Sequence, residues 1–366
     1  MVSENLEPLQ QIILEASRTA RRDSITKRRS KNLSQVHASW TMESKIGDDV
    51  GTAISIVFTT LGCSYARGDE GGCTMCSYLL DGTEQAPSDD QLQQQFQSVL
   101  DKHASLGSPL SVKLYTSGSF LDEGEVSKKA RSAILEMIAQ DERITEVVIE
   151  SRPEYVTDVT MAELRDTLGS RIIEIGIGLE SSSDKVRGIC INKGFSLSDF
   201  KQALERARIH NIGVRAYVLL KPPFLTERGA HEDTLRTIKD CNALGVTTVS
   251  LNPVNVQRNT LVETLWEKGE YRPAWLWSLV DILKKGRISL TDGINLVCDP
   301  VAGGKSRGVH NCGRCDKKIV DQIRSFSLTQ DSSNLEGLEC DCKSQWRHIL
   351  EHEDESLLVH SDRRLG

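Results

Sequence analysis

The sequence lacks long apolar runs and a basic balance of charge. No stretch of about 18 apolar residues occurs, which argues against a membrane-spanning helix. Residues 1–11 carry Glu4 and Glu7 and no apolar core, which argues against a secretory signal. The 45 Lys and Arg residues are outnumbered by 52 Asp and Glu, so the net charge of −7 argues against nucleic-acid binding over the whole surface and leaves a local basic patch as the alternative. We expect a cytoplasmic protein of two or three domains with no membrane association.

Cysteine is also scarce, with ten in 366 residues, too few for a disulfide scaffold. Seven of the ten fall in two tight clusters, and this pattern indicates metal binding in a reducing compartment. Cys190, Cys241 and Cys298 are isolated on apolar or helical stretches and are interpreted as packing residues.

Between residues 53 and 251 the chain alternates short β-branched runs with amphipathic helical patterns. Strands are predicted over 53–60, 112–116, 146–151, 172–180, 214–220 and 246–251. Helices are predicted over 90–105, 124–140, 160–168, 198–211 and 230–244, with another over 272–289. This alternation predicts an α/β fold with a parallel sheet, and six units favour a partial (β/α)6 barrel over a doubly wound sheet. The site is expected at the carboxyl ends of the strands.

Three regions are predicted on this basis. Residues 1–45 hold an N-terminal helix and a basic arm, 46–290 the barrel, and 291–366 a small cysteine-rich module with an acidic tail. The arm spans residues 17–31, where Asp23 is the single acid among seven basic residues: Arg18, Arg21, Arg22, Lys27, Arg28, Arg29 and Lys31. It is either a phosphate-contacting segment or a solvated helix face.

The first cysteine cluster follows the first predicted strand on a glycine-rich loop. Cys63, Cys73 and Cys76 are separated by nine and then two intervening residues. A structural zinc site usually has four ligands in two separated pairs, so three thiols on one loop match it poorly. An ordinary [4Fe–4S] cluster takes four cysteines, and three would leave one iron open. A zinc or disulfide loop is the alternative.

A three-cysteine loop ahead of a partial barrel resembles the radical S-adenosylmethionine (radical SAM) enzymes. In those enzymes the open iron binds the amino and carboxylate groups of S-adenosylmethionine (AdoMet), and the cluster supplies an electron that cleaves it. The commonest spacing in that superfamily is three and then two residues. The nine-then-two spacing of this chain is similar to the branch that contains the catalytic subunit of elongator, a tRNA-modifying enzyme.

Segments at later strand ends extend the resemblance. Residues 115–120 (YTSGSF) resemble the glycine-rich segment that holds the AdoMet amino group, and residues 150–154 (ESRPE) resemble an E-T-R-P-D segment of the elongator branch. Residues 176–181 (GIGLES) resemble the segment whose acid binds the AdoMet ribose. The resemblance implies that Cys63, Cys73 and Cys76 hold a [4Fe–4S] cluster. The AdoMet-binding residues that it implies are Tyr65, Met75, Ser117, Gly118, Glu150, Arg152, Glu180, Ser181 and Lys221.

Two nucleotide-binding motifs are incomplete. Gly176 and Gly178 lack the third glycine of a dinucleotide fingerprint, because Ser181 stands in its place. Lys305 and Ser306 match the end of a Walker A loop, but Asp299 occupies the position of its first glycine. Neither motif supports nucleotide binding.

The second cysteine cluster consists of two close pairs, Cys312 with Cys315 and Cys340 with Cys342. Two such pairs separated by a few tens of residues predict a structural zinc site of the ribbon type. A second Fe–S cluster is the alternative interpretation.

Together these features resemble the archaeosine-biosynthesis radical SAM family over roughly residues 45–347. The resemblance implies a tRNA substrate and a transferase partner subunit that joins lysine to a 7-cyano-7-deazaguanine base in the D-loop. It also implies an electron donor, and a reaction that cleaves a lysine carbon–nitrogen bond to leave the amidine of archaeosine. Arg152, Arg215 and Lys221 are candidates to hold the lysine carboxylate. The tRNA phosphates would meet the basic arm or basic residues of the cysteine-rich module, which are Lys305, Arg307, Arg314, Lys317 and Lys318.

Two other functions are compatible with the pattern. An elongator-type enzyme would modify a wobble uridine, but the chain has no room for the acyltransferase domain that follows the barrel in such proteins. A non-catalytic Fe–S or zinc subunit would only present tRNA to a partner, and the three intact thiols of the first cluster argue against it. Production of 5′-deoxyadenosine would separate an enzyme from a presenting subunit.

Overall fold

The computed structural model describes residues 7–25, 31–69 and 71–363. A single sheet lies at its centre, and its eight strands are β1 (Ala38–Ile46), β2 (Asp49–Val57), β3 (Leu110–Tyr115), β4 (Ile144–Ser151), β5 (Ile172–Glu180), β6 (Gly213–Leu220), β7 (Thr248–Pro253) and β8 (Asn295–Val297). The spatial order of the strands equals their order in the chain. β1 and β2 are antiparallel, and every later neighbouring pair is parallel.

Helices connect the parallel strands. The helices are α1 (Glu7–Ile25), α2 (Ser64–Arg67), α3 (Asp89–Lys102), α4 (Lys128–Gln140), α5 (Asp158–Leu168), α6 (Leu197–Ile209), α7 (Glu227–Leu244), α8 (Leu261–Glu267), α9 (Leu276–Ser289), α10 (Asp316–Thr329) and α11 (Cys342–Arg363). Local sequence sets several helix starts: Ser88, Thr157 and Ser196 each begin a capping box that satisfies two backbone N–H groups. A π-helical turn, Val186–Ile191, follows β5.

The sheet curls into a partial barrel. Among the described residues, the edge strands β1 and β8 do not pair with each other. Helix α10 contacts both of them and therefore covers the gap between the sheet edges. The predicted α/β partial barrel is thus confirmed, with a parallel sheet that has helices between its strands.

All six predicted strands are present, with ends that differ from the predicted ones by up to four residues. Two strands were missed. β1 lies in the segment predicted to hold only a helix and a basic arm, and β8 lies beyond residue 290. Neither has a continuous apolar run. Both are edge strands, and backbone pairing with one neighbour stabilises a sequence with little hydrophobic pattern of its own.

One hydrophobic core runs through the barrel and the segment after residue 290. Ile323, Phe326 and Trp346 belong to the same buried cluster as Ile175 and Val249 of the sheet. The domain division at residue 290 stays a prediction, and in the structure the packing crosses it. Cys190, Cys241 and Cys298 are buried, in agreement with their interpretation as packing residues. No helix in the described part of the chain combines the length and apolarity needed to cross a membrane.

Candidate active site

The interior of the partial barrel is a cavity of about 1380 Å³. Inward-facing side chains alternate along each strand, as the period of two in a β-strand requires. The wall contributed by β4 shows this pattern, with Glu146 near the start of the strand, Glu150 near its end and Arg152 just beyond it. The site is predicted at the carboxyl ends of the strands, and residues at these ends line the same cavity as residues deeper in the barrel.

Cys63, Cys73 and Cys76 all line this cavity beyond the carboxyl end of β2. They are half-buried and form no disulfide. Burial raises the pKa of the Cys63 thiol, and burial together with the neighbouring Cys73 raises the pKa of Cys76 to about 12. A metal cluster bound here would displace thiol protons, as metal–thiolate binding requires. Three thiols on one cavity wall fit a [4Fe–4S] cluster with one open iron.

Contacts from distant parts of the chain hold the cysteine loop. The Thr74 hydroxyl donates to the Cys190 carbonyl at 2.7 Å, and the Thr74 N–H donates to the Ile191 carbonyl at 2.9 Å. The Asn192 amide donates to the Gly72 carbonyl at 2.9 Å. The π-helical turn after β5 thus fixes the backbone between two of the three thiols.

Helix α1 holds the same loop from its other side. Arg21, only 3% exposed, donates hydrogen bonds to the carbonyls of Cys73 and Cys76, the second at 3.0 Å. Lys31 donates to the Asp81 carbonyl. Arg21 and Lys31 are therefore engaged with the protein itself, and the buried Arg21 fits neither of the two alternatives predicted for residues 17–31, a phosphate-contacting segment or a solvated helix face. Of the other predicted arm residues, Arg22, Lys27, Arg28 and Arg29 lie outside the side chains that the structure describes.

Gly118 packs directly against the cysteine loop. A Cβ atom on Gly118 would lie 2.4 Å from Cys63 Cα and 2.1 Å from a carboxylate oxygen of Glu125. Glu125 lies beneath the segment, where it accepts hydrogen bonds from the Ser119 N–H at 2.7 Å and the Thr60 hydroxyl at 2.8 Å. Burial raises the pKa of Glu125 to about 7. Only glycine leaves room for Cys63 at this point.

An ionic and aromatic cluster forms the rim at the ends of β4 and β5. Lys193 Nζ lies 2.7 Å from Glu180 Oε1, in a pair with side chains 13% and 10% exposed. The guanidinium of Arg152 stacks over the Tyr65 ring at 4.4 Å and donates to the Lys193 carbonyl at 3.2 Å. Burial raises the pKa of Glu150 to about 8, and the Lys193 charge partly offsets that rise. The rim therefore offers carboxylates and cations at one end of the cavity.

The structure brings together seven of the nine predicted AdoMet-binding residues on the cavity wall: Tyr65, Met75, Ser117, Gly118, Glu150, Arg152 and Glu180. Ser181 and Lys221 do not line it. The Ser181 hydroxyl donates to Asp233 at 3.0 Å, and Lys221 pairs with Glu227 at 2.6 Å in a separate buried cluster. Both side chains leave the rim because the chain turns away from the cavity after Glu180 and after β6.

Three residues of the site were missed by sequence reasoning. Arg21 was assigned to a basic arm, Glu125 lies ten residues beyond Tyr115 in a loop, and Lys193 returns to Glu180 across 13 residues. No local motif marks any of them. Only the position of Glu125 could have suggested a role in the site, because this carboxylate follows the end of β3, where part of the site is predicted.

A charged layer lies deeper in the cavity, near the starts of the strands. Arg215 pairs with Glu174 at 2.7 Å, and Glu174 also accepts hydrogen bonds from Thr247 and Thr248, each at 2.6 Å. Burial lowers the pKa of the nearby Lys113 to about 8, and the Arg215 charge acts in the same direction. Arg215 thus lines the cavity, as a candidate carboxylate anchor must.

The four cysteines of the second cluster converge on one point. Their Sγ atoms all lie within 4.8 Å of one another, with Cys312–Cys340 and Cys315–Cys342 separations of 3.7 Å. Zn–S bonds of about 2.3 Å in a tetrahedral site place the sulfurs about 3.8 Å apart. The Trp277 indole N–H donates to Cys342 Sγ at 3.2 Å. The arrangement fits one ion with four thiolate ligands, whereas a [4Fe–4S] cluster would hold its cysteines on separate irons, farther apart.

Comparison with known proteins gives the family. No protein-family model matches the chain. Archaeosine synthase subunit beta of Methanosarcina acetivorans is 43% identical over 317 residues, which cover 87% of this chain and 90% of that protein. The chain belongs to the archaeosine synthase subunit beta family. The family member of Thermococcus kodakarensis is 37% identical over 314 residues, or 86% of this chain and 96% of that protein.

Among solved structures, the chain is similar to the archaeal Elp3 of Methanocaldococcus infernus with residues 1–46 deleted. That likeness covers 69% of this archaeosine synthase subunit beta family member and 60% of the Elp3 chain, with a TM-score of 0.47 and 14% sequence identity.

Proposed function

We propose that this protein is the radical SAM subunit of an archaeosine synthase. It acts on a tRNA in which a 7-deazaguanine base carries lysine, and it cleaves the lysine carbon–nitrogen bond to form archaeosine. Membership of the archaeosine synthase subunit beta family supports the substrate, since the relatives carry that name. The elongator-type reaction on a wobble uridine has no comparable support.

The single observation that carries the catalytic assignment is the position of Cys63, Cys73 and Cys76 on one wall of the barrel cavity. Gly118 lies against Cys63, and the Glu180–Lys193 pair lies on the same rim. A presenting subunit without catalysis would have no use for three thiols that face the barrel cavity. This placement supports an enzyme.

The cluster, when bound, would supply the electron that cleaves AdoMet to a radical able to take hydrogen from an unactivated C–H bond. The chain's own residues prepare this chemistry. The Ser117–Gly118 backbone is assigned to the AdoMet amino group and the Glu180 carboxylate to the ribose hydroxyls, because a carboxylate accepts two O–H donors. The guanidinium of Arg152 stacks over the Tyr65 ring at the rim beside these groups.

The lysine part of the substrate carries a carboxylate that needs a cation. Arg152 and Arg215 both line the cavity, and Lys221 does not. Arg215 already shares its charge with Glu174, while Arg152 lies at the rim beside Glu154. We assign the carboxylate to one of these two arginines, since a guanidinium grips a carboxylate with two hydrogen bonds.

The remaining parts of the proposal concern the second metal and the partners. We assign zinc to Cys312, Cys315, Cys340 and Cys342, since the sulfur separations match a tetrahedral zinc site. The "subunit beta" in the names of the relatives supports a partner subunit, which we propose is the transferase that adds lysine. An electron donor is also required. Ten thiols without a disulfide suit a reducing cytoplasm.

The reaction is tested by mass spectrometry of tRNA nucleosides from a strain that lacks the gene. We expect archaeosine to disappear and a lysine-bearing deazaguanine nucleoside to accumulate. Complementation with the wild-type gene should restore archaeosine. Accumulation of 7-cyano-7-deazaguanine without lysine would place the defect before this step and contradict the proposed reaction.

The catalytic assignment is tested with purified protein. Cys63→Ala, Cys73→Ala and Cys76→Ala should each abolish 5′-deoxyadenosine formation from AdoMet, and Cys241→Ala is the matched control because Cys241 is buried on α7, away from the cavity. Normal AdoMet cleavage by a triple alanine variant of the loop would exclude a radical SAM enzyme.

A further inference from the structure

A pair of aromatic residues, one exposed and one half-buried, lies on the cavity wall formed by the first three strands. Trp40 of β1 and Tyr115 of β3 both line the cavity. Their ring planes are parallel to within 3°, and the ring centroids are 6.4 Å apart. Trp40 is 44% exposed and so is not part of the buried core. Packing of the buried core therefore does not account for the indole at this position.

Strand pairing explains how two rings on strands that are not neighbours meet. Trp40 lies opposite Ser55 in the antiparallel pair β1–β2, and Val57 lies beside Tyr115 in the parallel pair β2–β3. Ser55 and Val57 are small and line the cavity between the two rings. The two aromatic side chains therefore extend over β2 from either side, with their ring planes parallel on the barrel interior.

This aromatic surface adjoins the proposed reaction centre. Tyr115 ends β3, and three residues later Gly118 packs against Cys63. The segment that leaves Tyr115 therefore leads directly to the cysteine loop. The surface also lies beside the edge strand β1, which α10 contacts.

We propose that Trp40, together with Tyr115, stacks on the deazapurine base of the substrate nucleotide after that nucleotide turns out of the tRNA. The inference rests on the proposed function. The bond to be cleaved is only a few bonds from the base, so the base itself must enter the cavity. Enzymes that act on a base inside folded nucleic acid extrude it, and an aromatic face replaces the lost stacking.

The charges near the aromatic pair are mixed. Lys113 lies two residues before Tyr115 on β3 and lines the cavity. Lys45 lies at the other end of β1 from Trp40, opposite Val50, and Glu43 of the same strand also lines the cavity. Lys113 is therefore the cation that a ribose–phosphate backbone would meet beside Tyr115.

Base stacking is tested with a D-arm stem–loop RNA that carries the fluorescent purine 2-aminopurine at the position of the modified base. Binding to the cluster-loaded wild-type protein should quench the 2-aminopurine, because stacking on an aromatic ring quenches its emission. Trp40→Ala should relieve the quenching and weaken RNA binding by about 5- to 150-fold, which corresponds to about 1–3 kcal/mol. Trp40→Phe should keep most of both effects.

Ile288→Ala is the matched control, since Ile288 is an apolar residue that is 85% exposed and does not line the cavity. Iron content and melting temperature establish that the Trp40→Ala protein is folded and loaded. Wild-type quenching that persists in Trp40→Ala would overturn the inference, and so would a loss of AdoMet affinity with RNA binding intact.

Conversion of lysine-bearing tRNA by the wild-type protein is measured separately. Quenching without conversion would support base stacking and contradict the proposed reaction. Conversion without quenching would support the reaction and overturn base stacking.

Discussion

The guanidinium of Arg21 donates a hydrogen bond of 3.0 Å to the carbonyl of Cys76, 55 residues farther along the chain. It donates to the Cys73 carbonyl as well. A helix that precedes the barrel therefore places a buried positive charge against the backbone of two proposed cluster ligands. Charge and hydrogen bonds near an iron–sulfur cluster are among the factors that set its reduction potential.

Arg21→Met should make the cluster harder to reduce. A nearby cation favours the more negative, reduced state, so its removal lowers the midpoint potential and slows AdoMet cleavage. Redox titration followed by electron paramagnetic resonance measures this shift. Arg236→Met, on an exposed part of α7, should leave the potential unchanged. If Arg21→Met instead reduces the salt dependence of tRNA binding at an unaltered potential, Arg21 acts on phosphates after all.

Gly118→Ala should prevent normal cluster assembly. Its added methyl group would lie 2.4 Å from Cys63 Cα and 2.1 Å from a carboxylate oxygen of Glu125, so the Cys63 backbone itself would have to shift. Iron content after anaerobic reconstitution and the AdoMet-induced change in the cluster spectrum are the measurements. Gly107→Ala is the control, because no atom lies within 4 Å of a Cβ at that position. A fully loaded Gly118→Ala protein would show that this close packing is dispensable.

Glu180→Gln should weaken AdoMet binding by about 1.5–3 kcal/mol, which is the usual loss for a hydrogen bond that involves a charged group. The substitution keeps the side-chain volume and removes the charge that faces both Lys193 and the proposed ribose. Equilibrium binding of AdoMet to the reconstituted protein measures the effect. Glu205→Gln on the exposed side of α6 is the control. An unchanged affinity would remove Glu180 from the AdoMet site.

Lys221→Met should destabilise the fold and spare AdoMet binding. Lys221 and Glu227 form a pair with side chains 5% and 1% exposed, and a buried charge left without its partner costs about 3–5 kcal/mol. Chemical denaturation measures the loss, and Lys221→Met/Glu227→Gln should recover part of it. Reduced AdoMet affinity at normal stability would return Lys221 to the cofactor site.

The Cys63/Cys73/Cys76 triple alanine variant should retain about one zinc per chain and almost no iron. The reason is that the four cysteines of the second cluster form a separate site whose sulfurs lie close enough to share a single ion. Elemental analysis of the purified variant measures both metals. Iron retained at the stoichiometry of a cluster would favour a second Fe–S centre at these cysteines.

The α/β class and both cysteine clusters follow from the amino-acid sequence alone. The six parallel strands are marked by nearly continuous apolar runs, and these runs report burial on both faces whatever the tertiary arrangement. The spacing of Cys63, Cys73 and Cys76 on one loop is likewise local, so three thiols must stay near each other. The approximate positions of Glu150, Arg152 and Glu180 follow as well, because strand ends in a parallel sheet meet on one rim.

Which polar residues reach that rim depends on how the elements pack in three dimensions. Lys221 follows a strand end as Glu180 does, but the chain turns and a buried carboxylate pairs with it away from the cavity. Arg21 belongs to a basic run that is typical of a solvated face, and the docking of α1 buries it against the cysteine loop. Trp40 lies on an edge strand without an apolar pattern. The placements of Arg21 and Trp40 depend on contacts between residues far apart in the chain, and no local pattern encodes such contacts. Lys221 and Glu227 are only six residues apart, but their burial as a pair depends on the packing of the elements around them.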